Sequence, residues 1–153
     1  MEGRPDVDIT GVGPRLYIGS APPYGALLRA MGIDMLVLCA QEHQPASLLF
    51  REIEVVYAPL DDDKRFPTEV EWSVATDAAR KAAEAIKAGR TVLVTCWMGK
   101  NRSALVTALT LHMLTGWSGR DIIKHIKKVR PQALTNDYFV RILSKVRANK
   151  KRK

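Results

Sequence analysis

Hydrophobic positions along the chain alternate between two spacings. Short apolar runs at Leu16-Tyr17-Ile18, closed by Gly19, and at residues 33–38, 53–58 and 91–95 read as strands, the last of them central to its sheet. Between them the spacing turns helical. Residues 22–30 predict a short helix with Pro at its start and Gly32 just past its end. Thr68 and Glu71 form a capping box ahead of the apolar stripe Ala78, Ala82, Ala85 and Ile86, and Gly89 stops that helix. A third helix is expected at about residues 102–114. Ser118 starts a fourth, with Asp121 three residues on, Ile122, Ile123, Ile126 and Val129 inward, and Pro131 at its end. Tyr138, Phe139, Ile142, Leu143 and Val146 pattern a last helix, which is expected to fray over residues 150–153. Residues 41–50, which include Pro45, predict a loop with one helical turn.

Strands alternating with helices of this length predict an α/β fold: a three-layer sandwich with a small, mostly parallel sheet flanked by helices. In such folds ligands sit at the carboxyl ends of the strands. The 153 residues show no repeat or linker, so one domain spanning 1–153 is expected, with a core over about 15–146 and a basic tail over 147–153. A hydrophobic fraction of 46% excludes wholesale disorder, and no apolar run reaches the roughly 20 residues of a membrane span. The first residues lack the basic-then-apolar pattern of a secretory signal, and two cysteines cannot staple a secreted scaffold; a cytoplasmic monomer is expected. No Cys/His spacing suits a metal, and His43, His112 and His125 are scattered; no metal or cofactor is expected.

The net charge of +8 suggests nucleic acid or a membrane until its distribution is seen. Residues 1–119 hold 12 basic and 14 acidic side chains, whereas residues 120–153 hold 12 and 2. The body is near neutral and the excess is C-terminal, where a solvated helix face and tail account for it. With aromatics at 7% and no recognition motif, no stable nucleic-acid complex is expected.

Candidate chemistry lies where the 91–95 strand runs into the next helix. Cys96 follows Thr95, Gly99 relaxes the mid-loop backbone, Arg102 stands six positions after Cys96, and Ser103 is beside it. A strand-to-helix loop can turn its N–H groups around one anion, and the planar guanidinium of Arg102 can clamp two anionic oxygens. A cysteine among anion-stabilising groups is a candidate nucleophile. The plainer reading, a buried structural thiol, leaves Gly99, Arg102 and Ser103 unexplained. A thiolate that attacks phosphorus needs a proton donor for the departing oxygen, and Asp61-Asp62-Asp63, after the 53–58 strand, is the candidate cluster. As an isolated triplet it reads equally as a solvated acidic turn.

Cys96, Gly99, Arg102 and Ser103 match the C-x5-R-S/T loop of the cysteine-dependent protein phosphatases, and the wider chain resembles the dual-specificity branch. Leu16-Tyr17-Ile18-Gly19-Ser20 is similar to that branch's opening strand, Met31-Gly32-Ile33 to its helix-to-strand step, and Arg130-Pro131 to the pair before its last helix. The resemblance runs from about Arg15 to Val146. It implies Cys96 as nucleophile of a cysteinyl-phosphate intermediate, Arg102 as the phosphoryl clamp, and Ser103 as hydrogen-bond donor to the sulfur. Trp97, Met98, Gly99, Lys100 and Asn101 are implied as the phosphate-binding loop, Asp62 as general acid, and Asp61 as the reserve. The family usually places His where this chain has Thr95, which bears on the thiolate and the turnover rate.

Protein phosphotyrosine is the first-ranked substrate, with phosphoserine and phosphothreonine admitted by a shallow site. Lys100 stands where phosphoinositide 3-phosphatases carry a lysine, and Asn101-Arg102 resembles a pair in RNA 5′-triphosphatases; a solvated loop side chain explains each as well. Leu38-Cys39-Ala40-Gln41-Glu42 resembles a segment of the phosphoinositide branch whose cysteine protects an oxidised nucleophile, implying a reversible Cys39–Cys96 disulfide or else a buried structural thiol. The alternatives from other classes are a catalytically weak phosphate-binding module, which Thr95 favours, and a rhodanese-like sulfurtransferase, which Arg102-Ser103 and the upstream Asp disfavour.

Overall fold

The computed structural model describes residues 7–149; the terminal residues 150–153 of the expected fraying tail lie outside them. Five strands form one sheet in the order β1 (Ile9–Gly13), β2 (Leu16–Gly19), β5 (Val92–Thr95), β3 (Met35–Ala40), β4 (Glu54–Leu60). β2, β5, β3 and β4 run parallel, and β1 joins β2 antiparallel. Sequence reasoning missed β1, ITGVG, whose two glycines dilute the alternation that marks a strand. β4 carries Pro59 because it lies at the sheet edge, where a missing N–H costs no ladder bond.

Side-chain alternation divides the sheet into two faces. Leu16, Ile18, Met35, Val37, Cys39, Val92, Val94 and Cys96 share the larger core with helices α2 (Glu69–Lys87), α3 (Arg102–Thr115), α4 (Gly119–Val129) and α5 (Asp137–Ser144). Leu36, Leu38 and Leu93 point the other way, into a smaller core with α1 (Gly25–Ala30) and the 3-10 turn Ser47–Phe50. This is the expected three-layer α/β architecture with a mostly parallel sheet. The capping box forms as read, with the Glu71 amide donating to Thr68 Oγ1 at 3.1 Å and the Thr68 amide to Glu71 Oε1 at 2.9 Å. Asn136 caps α5 through the amides of Tyr138 and Phe139.

Several boundaries move. The first helix begins at Gly25, because Pro22 and Pro23 hold the preceding chain extended. β3 continues through Cys39 to Ala40, so Cys39 lies inside the strand. Val129 does not face inward as expected: it is 37% exposed, and Arg130 at 1% takes the buried position instead. The last helix stops at Ser144, leaving Val146 beyond it, where its carbonyl accepts the amide of Gly119.

Candidate active site

Three loops meet at the carboxyl edge of the parallel strands: the turn after β3 with Glu42, the loop after β4 with Asp62, and the loop from β5 to α3 with Cys96–Arg102. Cys96 Sγ lies 3.1 Å from Ser103 Oγ, both buried, so the first turn of α3 brings a hydroxyl to the sulfur.

The loop's shape follows from what holds its carbonyls. Trp97 O accepts the amide of Ala21 at 3.2 Å, Gly99 O accepts Arg130 Nε at 2.8 Å, and Lys100 O accepts the amide of Leu134 at 2.7 Å. In a planar trans peptide the N–H points opposite the carbonyl. Drawing these three carbonyls outward therefore turns the amides of Met98, Lys100 and Asn101 toward the loop's own centre, an arrangement of donors suited to an anion. Gly99 has φ +67°, and a Cβ there would lie 2.7 Å from the Gly19 carbonyl carbon and against Arg130. Arg130 is itself fixed: its Nη1 donates to Asp8 Oδ1 at 3.0 Å and to Thr10 Oγ1 at 2.7 Å, and its Nη2 to Asp8 Oδ2 at 2.6 Å. Those hydrogen bonds hold the Asp8 carboxyl below its usual range, against the opposing effect of burial.

Arg102 is gripped by a residue that sequence reasoning did not assign. Its Nη1 and Nη2 donate to Glu42 Oε1 and Oε2 at 2.6 and 2.9 Å, and Nη1 also reaches Leu60 O at 3.2 Å. Its Nε is buried without a protein partner. Burial works against the guanidinium charge, but the hydrogen bonds of Glu42 and the charges of Cys96, Glu42 and Asp62 raise its pKa. Arg102 in turn pulls the Glu42 carboxyl down to about 2. The available signal was an acid at the carboxyl end of the neighbouring strand, three residues past Cys39.

Asp62 sits in a clamp. Asn101 Nδ2 donates to its Oδ2 at 2.9 Å, and Asn136 Nδ2 to its Oδ1 at 2.7 Å. Asn101, 5% exposed, also donates to Thr135 Oγ1 and accepts the Asn136 amide, so it is not the solvated side chain that the sequence allowed. Asp61 faces elsewhere: its amide reaches Glu71 Oε2, and its carboxylate lies 3.5 Å from Arg65. The capping residue Glu71 thus also braces the acidic loop, taking Arg65 at 2.7 Å. Of the remaining loop residues, Trp97 and Met98 are exposed and Lys100 is half-buried. Thr95 is buried and its hydroxyl donates to the Val37 carbonyl on β3.

Cys39 and Cys96 are free thiols on one sheet face, each two residues beyond the registered pair Val37 and Val94. Burial, with the charge of Cys96 adding to it and that of Arg102 opposing, pushes the Cys39 thiol well above its usual range. Among the described residues no helix is long and apolar enough to cross a membrane.

Residues 16–149 match the family model for the dual specificity phosphatase catalytic domain. The chain belongs to the dual specificity phosphatase family. A mouse protein described as a dual specificity phosphatase, complexed with zinc tungstate, is 27% identical with a TM-score of 0.78, over 95% of this chain and 88% of that one. Human DUSP28 is 25% identical with a TM-score of 0.74, over 90% of each chain. PTPMT1 in complex with PI(5)P shares the fold at 18% identity and a TM-score of 0.75, over 89% of this chain and 92% of that one. No curated protein matches the sequence. This phosphatase family's domain therefore spans the loop, the acidic segment and Glu42 together, and the chain is a hydrolase of the dual-specificity phosphatase type.

Proposed function

We propose that the protein hydrolyses phosphate monoesters on proteins, phosphotyrosine first and phosphoserine or phosphothreonine second, through a cysteinyl-phosphate intermediate. The Cys96 thiolate attacks phosphorus within the ring of loop amides. The ester P–O bond breaks, and Asp62 gives its proton to the departing oxygen. Asp62, now ionised, takes a proton from water as the water oxygen attacks phosphorus. The S–P bond then breaks, releasing inorganic phosphate, and the Ser103 hydroxyl supports the sulfur as it leaves. No metal is needed for this route: the loop amides and Arg102 meet the phosphoryl charge.

The observation that carries this reading is the buried Arg102 Nε without a protein acceptor, on a guanidinium whose Nη1–Nη2 edge Glu42 holds, at the far end of the loop that begins at Cys96. A phosphoryl oxygen supplies the missing acceptor, since a buried donor left unpaired costs about 1–3 kcal/mol. Asp62 is favoured over Asp61 because the Asn101–Asn136 clamp ties it to the phosphate loop, whereas Asp61 is directed to Arg65 and Glu71. A phosphoinositide substrate is the second reading, carried by Lys100 at the loop rim. The RNA 5′-end reading loses its support, because Asn101 is spent on Asp62 and Thr135. A reducing cytoplasm suits a thiolate nucleophile, and phosphorylated proteins there are the proposed partners.

Hydrolysis of p-nitrophenyl phosphate tests the reading. Cys96→Ser should abolish turnover, and orthovanadate should inhibit the wild type. Asp62→Asn should slow phosphotyrosine more than p-nitrophenyl phosphate, whose leaving group needs less protonation. Undiminished hydrolysis by Cys96→Ser refutes the mechanism.

A further inference from the structure

An apolar cleft of about 570 Å³ opens on the α1 side of the sheet, bordered by Pro22, Tyr24, Leu27, His43, Pro45 and Leu49. We infer that it is a subsite for a bulky apolar side chain flanking the phosphoresidue of a phosphorylated polypeptide; this rests on the phosphatase reading and names what the same site selects.

The cleft is continuous with the phosphate loop. The His43 ring meets Trp97 edge-on with centroids 5.4 Å apart, and Trp97 follows the nucleophile directly. His43 also follows Glu42, which grips Arg102. One wall thus serves both sites, and a residue adjacent to a phosphotyrosine held at Cys96 reaches the cleft along an extended backbone at about 3.3 Å per residue.

The lining is built to stay open. Pro22 and Pro23 fix the entry to α1, and the Pro45 carbonyl is pinned by the Tyr57 hydroxyl at 2.7 Å. Tyr24, Leu49, Trp97 and Met98 are 79%, 53%, 50% and 56% exposed, and they lie along the cleft and the loop beside it. Scattered exposed apolar residues are ordinary, but a run along a cleft marks a binding surface. Rigid rings and prolines lose little entropy when covered.

Charge decides between a peptide and a lipid surface. Glu42, Asp61, Asp62 and Asp63 stand on the loops around the active site, where Arg102 is occupied by Glu42 and Arg65 by Glu71, Asp61 and Asp63, so that, among the described residues, Lys64 and Lys100 are the cations left there to oppose them. An anionic bilayer, or an inositol ring with further phosphates, meets these carboxylates at unfavourable cost. A peptide with one phosphoryl group and neutral or basic neighbours does not. The basic residues Arg120, Lys124, Lys127 and Lys128 lie on α4, a helix of the opposite sheet face.

The test uses phosphotyrosyl peptides that differ only in carrying Leu or Ser on either side of the phosphotyrosine. Wild type should prefer a Leu-flanked peptide by about tenfold in kcat/KM, the usual discrimination an apolar pocket provides. Leu49→Asp and Tyr24→Ala, both at exposed positions, should erase that preference and leave p-nitrophenyl phosphate hydrolysis unchanged. Titration of the same peptides into Cys96→Ser should show the same preference in binding. That arm decides the subsite even if wild type hydrolyses nothing, a result that would refute the catalytic reading alone. Equal binding of Leu- and Ser-flanked peptides overturns the subsite. So does a preference that survives both variants, or variants that lose turnover only on phosphatidylinositol phosphate in phosphatidylcholine vesicles.

Discussion

Glu42→Ala removes two charge-assisted hydrogen bonds of 2.6 and 2.9 Å from Arg102, whose side chain is 10% exposed. Nη1 keeps Leu60 O at 3.2 Å, and Nη2 loses its carboxylate. Breaking a fully buried ion pair costs about 3–5 kcal/mol. The Glu42 side chain, however, is 53% exposed, so water fills part of the vacated place and screening reduces the cost to about 1–2 kcal/mol. At about 2–4 °C per kcal/mol for a chain of this size, Tm should fall by about 2–8 °C. If the same energy is lost from the oriented guanidinium in the transition state, kcat/KM should fall about 5- to 30-fold. Glu42→Gln, which keeps one acceptor oxygen, should fall between wild type and alanine. The pH dependence has a defined sign. The folded carboxyl titrates at about 2, below its ordinary 4.5, so the ionised form is the stabilising one. The stability gap between wild type and Glu42→Ala should be full above pH 4.5 and should close as pH falls from there toward about 2. Thermal melts across that range and p-nitrophenyl phosphate kinetics at neutral pH check both halves. An alanine variant with wild-type Tm and kcat/KM refutes the idea that Glu42 sets Arg102.

Three other outcomes follow from the site. Gly99→Ala places a methyl against the Gly19 carbonyl at a positive φ, and should cost about 1–3 kcal/mol and at least about tenfold in activity, read by Tm and kinetics. Asn101→Ala frees one oxygen of Asp62 and strands the Asn136 amide, so kcat on phosphotyrosine should fall about tenfold at nearly constant KM, with a smaller fall on p-nitrophenyl phosphate. An equal fall on both substrates would show that Asn101 shapes the loop and not the acid. Mild peroxide should crosslink Cys39 to Cys96, because neighbouring strands lie about 4.8 Å apart, inside the Cα span a disulfide tolerates; mass spectrometry finding two separately oxidised thiols and no crosslink would exclude the pair.

The alternation of apolar runs with capped helical stripes was enough to read four of the five strands, because each of those strands carries its own burial signal. β1 was not legible: two glycines in five residues leave too little pattern, and only its pairing with β2 makes it a strand. The inward position at the end of α4 was misread for a related reason. Hydrophobicity favours Val129, yet the buried residue is Arg130, whose charge is tolerated because Asp8, Thr10 and Gly99 O surround it.

The proposed phosphate loop could be picked out from one stretch of chain because its motif is local: Cys96, Gly99, Arg102 and Ser103 fall within eight consecutive residues. Its supports are not local. Glu42 lies 60 positions before Arg102, Asp62 lies 39 before Asn101, and Asp8 lies 122 before Arg130. No periodicity links residues so far apart, and each is an ordinary surface acid until strand order brings it to the carboxyl edge of β5, Glu42 and Asp62 on loops after parallel strands and Asp8 just before antiparallel β1. The sequence by itself determined which groups could react. The tertiary structure decided which groups hold them, because hydrogen bonds depend on distance in space and direction, and only the packed sheet sets both.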